Sequence, residues 1–194
     1  MTESTSGRSR RLPEWLNDAQ RVDRATYLAV AQTTTPSLDQ ALQRLSNFAD
    51  HSKLWLSAAG ALAVMGGPPG RQAAVQGLAS VATASLLVNV VVKAVGRRPR
   101  PERPEDHAVA RQVHMPTSAS FPSGHSASAF AFATAVAARL PVTAVPLHAA
   151  AGAVAYSRVH TGVHYPGDVL VGSILGTVIG QLTTRSVQRC FGWR

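Results

Sequence analysis

Five long apolar runs, almost free of charge, constrain this chain more than anything else in it. They lie at 54–67, 73–95, 127–140, 142–156 and 169–182. A helix on the outside of a water-soluble bundle keeps a polar face. The stretch 127–138, Ala-Ser-Ala-Phe-Ala-Phe-Ala-Thr-Ala-Val-Ala-Ala, offers no charge on any side. A chain of 194 residues has too little interior to enclose several such helices, so lipid is the expected solvent. The mean hydropathy of +0.04 conceals this, because 1–53 and 96–122 are polar and dilute the runs. Run 73–95, with Gln76 and Asn89 inside it, is the one that reaches the roughly 20 residues a spanning helix needs. Run 54–67 leaves open whether it spans. The expected fold is an all-α, polytopic membrane helical bundle of about five transmembrane helices preceded by N-terminal amphipathic helices.

Segment 1–11, rich in Ser, Thr, Gly and Arg, reads as a disordered tail, and no apolar stretch follows it of the kind a secretory signal requires. Residues 12–52 read as an amphipathic helical segment and 53–194 as the membrane-embedded domain. Pro13 is placed to open a helix over roughly 13–31. Ser37 and Gln40 fit a capping box for a second helix, with Leu38, Leu42, Leu45 and Phe48 on one side and Asp39, Gln43 and Arg44 on the other. Such a helix either lies along the membrane surface or docks on the bundle. Gly172, Gly176 and Gly180 form a small-residue face of the kind that lets membrane helices approach closely. The single Cys190 cannot form an internal disulfide.

The polar residues between the runs carry the chemistry. Lys93, Arg100 and Arg158 are cations, and Arg presents a planar fork that meets two phosphate oxygens at once. Pro122-Ser123-Gly124-His125 precedes an apolar helical run, so its backbone N–H groups point at an anion, and Gly124 lets the backbone come close. His164 and Asp168 are spaced as a nucleophilic imidazole and the carboxylate that fixes its tautomer, with His125 to protonate a departing oxygen. Asp168 reads equally well as an N-terminal helix residue facing the helix dipole. The connector 101–122 reads as a mobile lid or a solvated linker.

Taken together, Lys93 with Arg100-Pro101, then Pro122 to His125, then Ser157-Arg158 with His164 and Asp168, resemble the three-motif signature of the type 2 phosphatidic acid phosphatase superfamily. That superfamily includes lipid phosphate phosphatases, bacterial acid phosphatases and vanadium haloperoxidases. The resemblance covers 93–168 and implies that Lys93, Arg100, Ser123, Gly124 and Arg158 bind phosphate. It implies that His125 is the general acid and that His164 is transiently phosphorylated, with no metal and no other cofactor. The expected function is hydrolysis of a lipid phosphomonoester or pyrophosphate: phosphatidic acid, phosphatidylglycerophosphate, a polyprenyl phosphate, or a polyprenyl-linked sugar phosphate such as decaprenylphosphoryl phosphoribose. A non-catalytic lipid-phosphate binder and a haloperoxidase-like enzyme are the alternatives. The expected partners are the lipid substrate and the bilayer, with no nucleic acid, and a homodimer through the glycine face or another helix is compatible with the sequence. The positive-inside tendency points the site to the cytoplasmic face, whereas many relatives work on the outer one.

Overall fold

The computed structural model describes residues 13–33, 35–92, 98–103 and 111–193. As far as they are described, the five apolar runs are mainly helical, and among the described residues no strand occurs. Helix α1 is Glu14–Gln32 and α2 is Pro36–Ala49; a 3-10 turn, Asp50–Ser52, leads into α3, Lys53–Met65. Helix α4, Gly67–Leu86, ends in a π-helical turn at Leu87–Val92. Then come α5, Gly124–Arg139, a 3-10 turn at Pro141–Thr143, α6, Ala144–His160, and α7, Pro166–Phe191. The tail 1–11 lies outside the described residues.

Pro13 caps α1, where its missing N–H costs nothing. Helix α2 corrects the sequence reading of its start. It opens at Pro36 behind Thr35, so Ser37 already lies inside the first turn and is not the cap. Asp39 is corrected too: expected on the polar, outer side, it is 4% exposed, while Leu38 and Phe48 from the apolar side are nearly half exposed. The reason is pairing. Asp39 accepts hydrogen bonds from Arg111 Nε at 2.9 Å, His160 Nε2 at 3.0 Å and the Thr35 hydroxyl at 2.9 Å, and a carboxylate is tolerated inside when its partners come with it.

Helix α5 is the centre of the bundle, packed between α4, α6 and α7. Ala127, Ala129, Ala131, Ala133 and Ala135 are small enough to be fully buried, and Phe132 fills the remaining space against Trp55, ring centroids 5.2 Å apart. The glycine face of α7 meets this helix directly. A Cβ on Gly172, Gly176 or Gly180 would lie 2.5, 2.2 or 2.7 Å from the carbonyl oxygens of Ser123, Ala127 and Ala131. The close approach is therefore made within the chain, and that face is not available for a second copy. Leu170, Ile174, Val178 and Leu182 line another face of α7 and are exposed. Among the described residues no helix is both long and apolar enough to cross a membrane.

Gly176→Leu should cost about 1–3 kcal/mol or more through overpacking against α5, whereas Ile174→Leu, on the exposed face of the same helix, should leave stability within about 0.5 kcal/mol. Thermal unfolding in detergent measures both, and equal midpoints for the two variants would contradict the packing described.

Candidate active site

The chain runs up and down, so the starts of α5 and α7, the end of α6 and the turn before α3 all gather at one end of the bundle. Ser123 caps α5, its hydroxyl accepting from Ser126 N–H at 3.4 Å. The Ser123 N–H donates to Asp168 O at 2.9 Å, which ties the beginning of α5 to the beginning of α7. His125 and His164, far apart in the chain, thereby line a single cleft of about 270 Å³ together with Arg100, Gly124 and Arg158. The sequence-derived residues Arg100, Gly124, His125, Arg158 and His164 are thus brought together. Ser123 lies behind the cleft as a cap, fully buried. Lys93 lies outside the described residues.

His164 occupies the loop between α6 and α7, where its N–H and that of Val163 both donate to Arg158 O at 3.1 Å. Its Nδ1–H faces Asp168 Oδ2 at 3.5 Å, and Ser120 Oγ lies 3.4 Å from the same nitrogen. That tautomer leaves the Nε2 lone pair toward the cleft, beside Arg100 Nη1 at 3.3 Å. Burial drives the His164 pKa down to about 4, outweighing the hydrogen bond to Asp168 that favours the cation. At neutral pH the ring is uncharged and can attack an electrophile.

Asp168 satisfies both of its sequence readings. It is the N3 residue of α7, accepting from Tyr165 N–H at 2.9 Å, and it is also the carboxylate behind His164. Its Oδ1 accepts from Arg98 Nη1 at 2.9 Å, and Ser120 donates to its Oδ2. Arg98 also pairs with Asp23 of α1 at 2.7 Å and lies 4.0 Å over the Tyr165 ring. Sequence reasoning passes over Arg98, Ser120 and Asp23. Arg98 carries a signal in hindsight, lying two residues before Arg100 inside the cationic stretch, but Asp23 shows none.

Arg158 is 1% exposed. Its Nη1 donates to Ser46 Oγ at 2.6 Å and lies 3.5 Å from Asp50 Oδ1. Its Nε–H finds no acceptor among the described residues, and a buried donor of that kind is one that an anion can satisfy. Arg100 is fixed through the carbonyls of Val163 at 2.7 Å and Ser118 at 2.9 Å. His125 Nε2–H donates to Asp50 Oδ1 at 2.7 Å. The connector is anchored rather than solvated at Arg103, which donates to Thr161 O at 3.2 Å, and at Arg111; its part 104–110 lies outside the described residues. His160, four residues before His164, is committed to Asp39.

A buried neutral imidazole braced by a carboxylate, facing a second imidazole across two guanidinium groups at a helix N-terminus, defines a phosphoryl-transfer enzyme on an all-helical scaffold. Residues 73–191 match the PAP2 superfamily model. The chain is 35% identical over 172 residues to decaprenylphosphoryl-5-phosphoribose phosphatase of Mycobacterium tuberculosis, covering 84% of this chain and 90% of that one. Against the phosphatase of the same description from Mycolicibacterium smegmatis it is 36% identical over 162 residues, covering 81% and 84%. Its fold superposes on the crystal structure of the transmembrane PAP2 type phosphatidylglycerolphosphate phosphatase from Bacillus subtilis with a TM-score of 0.68 at 25% identity, covering 89% and 88% of the two chains. The chain belongs to the PAP2 superfamily. It is a membrane lipid phosphatase.

Two outcomes follow from this geometry. An NMR titration of ring nitrogens in detergent should find the His164 imidazole neutral down to about pH 4, and a midpoint near 6.5 would mean that it is not buried as described. Arg98→Ala should lower kcat by roughly 10- to 100-fold with little change in KM, because Arg98 steadies Asp168 without lining the cleft; steady-state kinetics showing a pure KM effect would assign Arg98 to substrate binding instead.

Proposed function

We propose that this phosphatase removes the phosphomonoester of a polyprenyl-linked sugar phosphate through a phosphohistidine at His164. The convergence of His164 and His125 on one cleft with Arg100 and Arg158 carries the reading. The two guanidinium groups and the α5 N-terminus hold the non-bridging oxygens, and His164 Nε2 attacks phosphorus from the cleft floor. As the P–O bond to the lipid breaks, His125 gives its proton to the leaving oxygen. The same imidazole then takes a proton from water, whose oxygen displaces the phosphoryl group from His164 and releases inorganic phosphate. Gly124 and Lys93 complete the phosphate-binding set carried over from the family motifs, while Ser123, buried behind the cleft, serves it by capping α5.

The choice of a sugar over a diacylglycerol rests on the rest of the cleft wall. Ser52, Ser85, Ser118 and Ser128 line it, and the hydroxyls of Ser85 and Ser128 lie 3.2 Å apart. These four hydroxyl groups, set beside Ala49, Trp55 and Pro116, suit a polyol between the phosphate and the lipid chain better than they suit an ester-linked glycerol. The relatives from both mycobacteria bear the name of such a phosphatase.

The bundle α3 to α7 is embedded in the bilayer, with the exposed apolar stripe of α7 against lipid. Helices α1 and α2 then rest at the surface on the cleft side. The arginine bias that points this side to the cytoplasm weakens once contacts are considered, because Arg98, Arg100, Arg103, Arg111 and Arg158 are all bonded inside the protein. Exposed Arg21, Arg24, Arg44 and Lys53 on the cleft side stand against Arg71, Arg185 and Arg189 at the other, so exposed charge among the described residues favours the cytoplasmic face by a single cation.

With decaprenylphosphoryl phosphoribose in detergent, acid-labile, base-stable label should appear on the parent chain in quenched turnovers, and His164→Ala should lose at least about 10³-fold in kcat/KM. Normal turnover by His164→Ala would sink the mechanism. Replacing both Ser85 and Ser128 by Ala should cost about 5- to 30-fold on the sugar phosphate, at about 1 kcal/mol per lost hydrogen bond, and far less on phosphatidic acid. Equal losses on the two lipids would remove the sugar assignment.

A further inference from the structure

The family match begins at residue 73, yet the general acid is gripped from before it. Asp50 lies in the 3-10 turn between α2 and α3, and its Oδ1 accepts from His125 Nε2 at 2.7 Å. That is shorter than the 3.5 Å separating His164 from Asp168. The same oxygen lies 3.5 Å from Arg158 Nη1, and Arg158 is held in turn by Ser46 of α2. Asp50 is absent from the cleft wall, whereas its neighbours Ala49, His51 and Ser52 belong to it, so its carboxylate approaches His125 from behind. The backbone at this point is unusual. His51 and Ser52 have φ of 55° and 58°, left-handed values that residues other than glycine adopt only at a cost. Such conformations persist where the surroundings hold them, and here they let the chain leave α2, turn Asp50 onto His125 and enter α3.

We propose that Asp50 is the positioning residue of the acid, the counterpart on His125 of Asp168 on His164. A carboxylate at this distance favours the imidazolium form and aims the ring, so that a proton is ready for the leaving oxygen in the first step. The inference rests on the roles given to His125 and His164 above. The charged and titratable groups sharing the cleft with His125 are His51 from the same turn, Arg158 from α6, and Arg100 and His164 across it. None of these is an acid, and the two guanidinium groups oppose a charged His125. Asp50, in contact with His125 at 2.7 Å, favours its protonation. Burial works against ionisation of Asp50, but the hydrogen bond from His125 and the charge of Arg158 hold its carboxyl below the usual range, so it is an anion throughout the working pH span.

Leaving groups separate this role from a structural one. An alkoxide departing from a lipid phosphate needs a proton, whereas p-nitrophenolate does not, and both substrates use the same phosphate pocket. Single-turnover phosphorylation of the full chain in detergent, stopped with alkali to preserve phosphohistidine, isolates the first step. Asp50→Asn should slow it roughly 10- to 100-fold with the lipid phosphate and less than about 3-fold with p-nitrophenyl phosphate, and should move the alkaline limb of the lipid reaction to lower pH. Asp50→Glu should recover part of the rate and return the limb toward its parental position. Equal losses on the two substrates would make Asp50 a support for Arg158 and overturn the proposal, as would an unchanged pH profile. A parent chain that never becomes labelled would overturn the His164 mechanism itself, and this inference with it.

Discussion

A guanidinium group without water needs a counter-charge, and the arrangement of this protein follows from that need. Arg158 is 1% exposed and Arg111 is 2% exposed. Removing such ions from water is expensive unless hydrogen bonds and opposite charges surround them. A phosphate site cannot supply the carboxylates from its own floor, because these would repel the substrate. They come instead from the N-terminal segment: Asp23 reaches Arg98, Asp39 reaches Arg111 and His160, and Asp50 reaches Arg158 and His125. Three carboxylates spaced along one segment thus neutralise the back of a cationic pocket while its front stays open to an anion. The amphipathic helices are accordingly part of the catalytic unit and not an appendage to it.

This explains which parts of the molecule are legible in sequence. The bundle is, because an uncharged stretch such as 127–138 has few ways to fold, and the five apolar runs, as far as they are described, are mainly helical. The front of the pocket is also legible, since Arg100, His125, Arg158 and His164 sit in short motifs whose spacing is set by local geometry. The back is not. Asp23, Asp39 and Asp50 look like the polar residues of ordinary amphipathic helices, and Asp39 reads as solvent-facing on that ground. Helical periodicity distinguishes two faces but does not say which polar residue meets a buried partner from a distant part of the chain, as Asp39 meets His160.

Asp168 shows how much one side chain can carry when burial is scarce. A capping residue and a catalytic carboxylate would normally be alternatives, yet the two oxygens here serve Tyr165 N–H, Ser120, Arg98 and His164 together. The helix start and the imidazole are therefore aligned by one group, so that formation of α7 already orients the His164 ring.

The glycines of α7 lead to a further consequence. Because the carbonyls of Ser123, Ala127 and Ala131 lie against Gly172, Gly176 and Gly180, α5 and α7 can mesh in one longitudinal register, and a slip of one turn would displace one helix by about 5.4 Å. His125 rides at the tip of one helix and His164 just ahead of the other. The separation between the two imidazole rings is accordingly gauged by a ratchet of missing side chains along the seam between the helices.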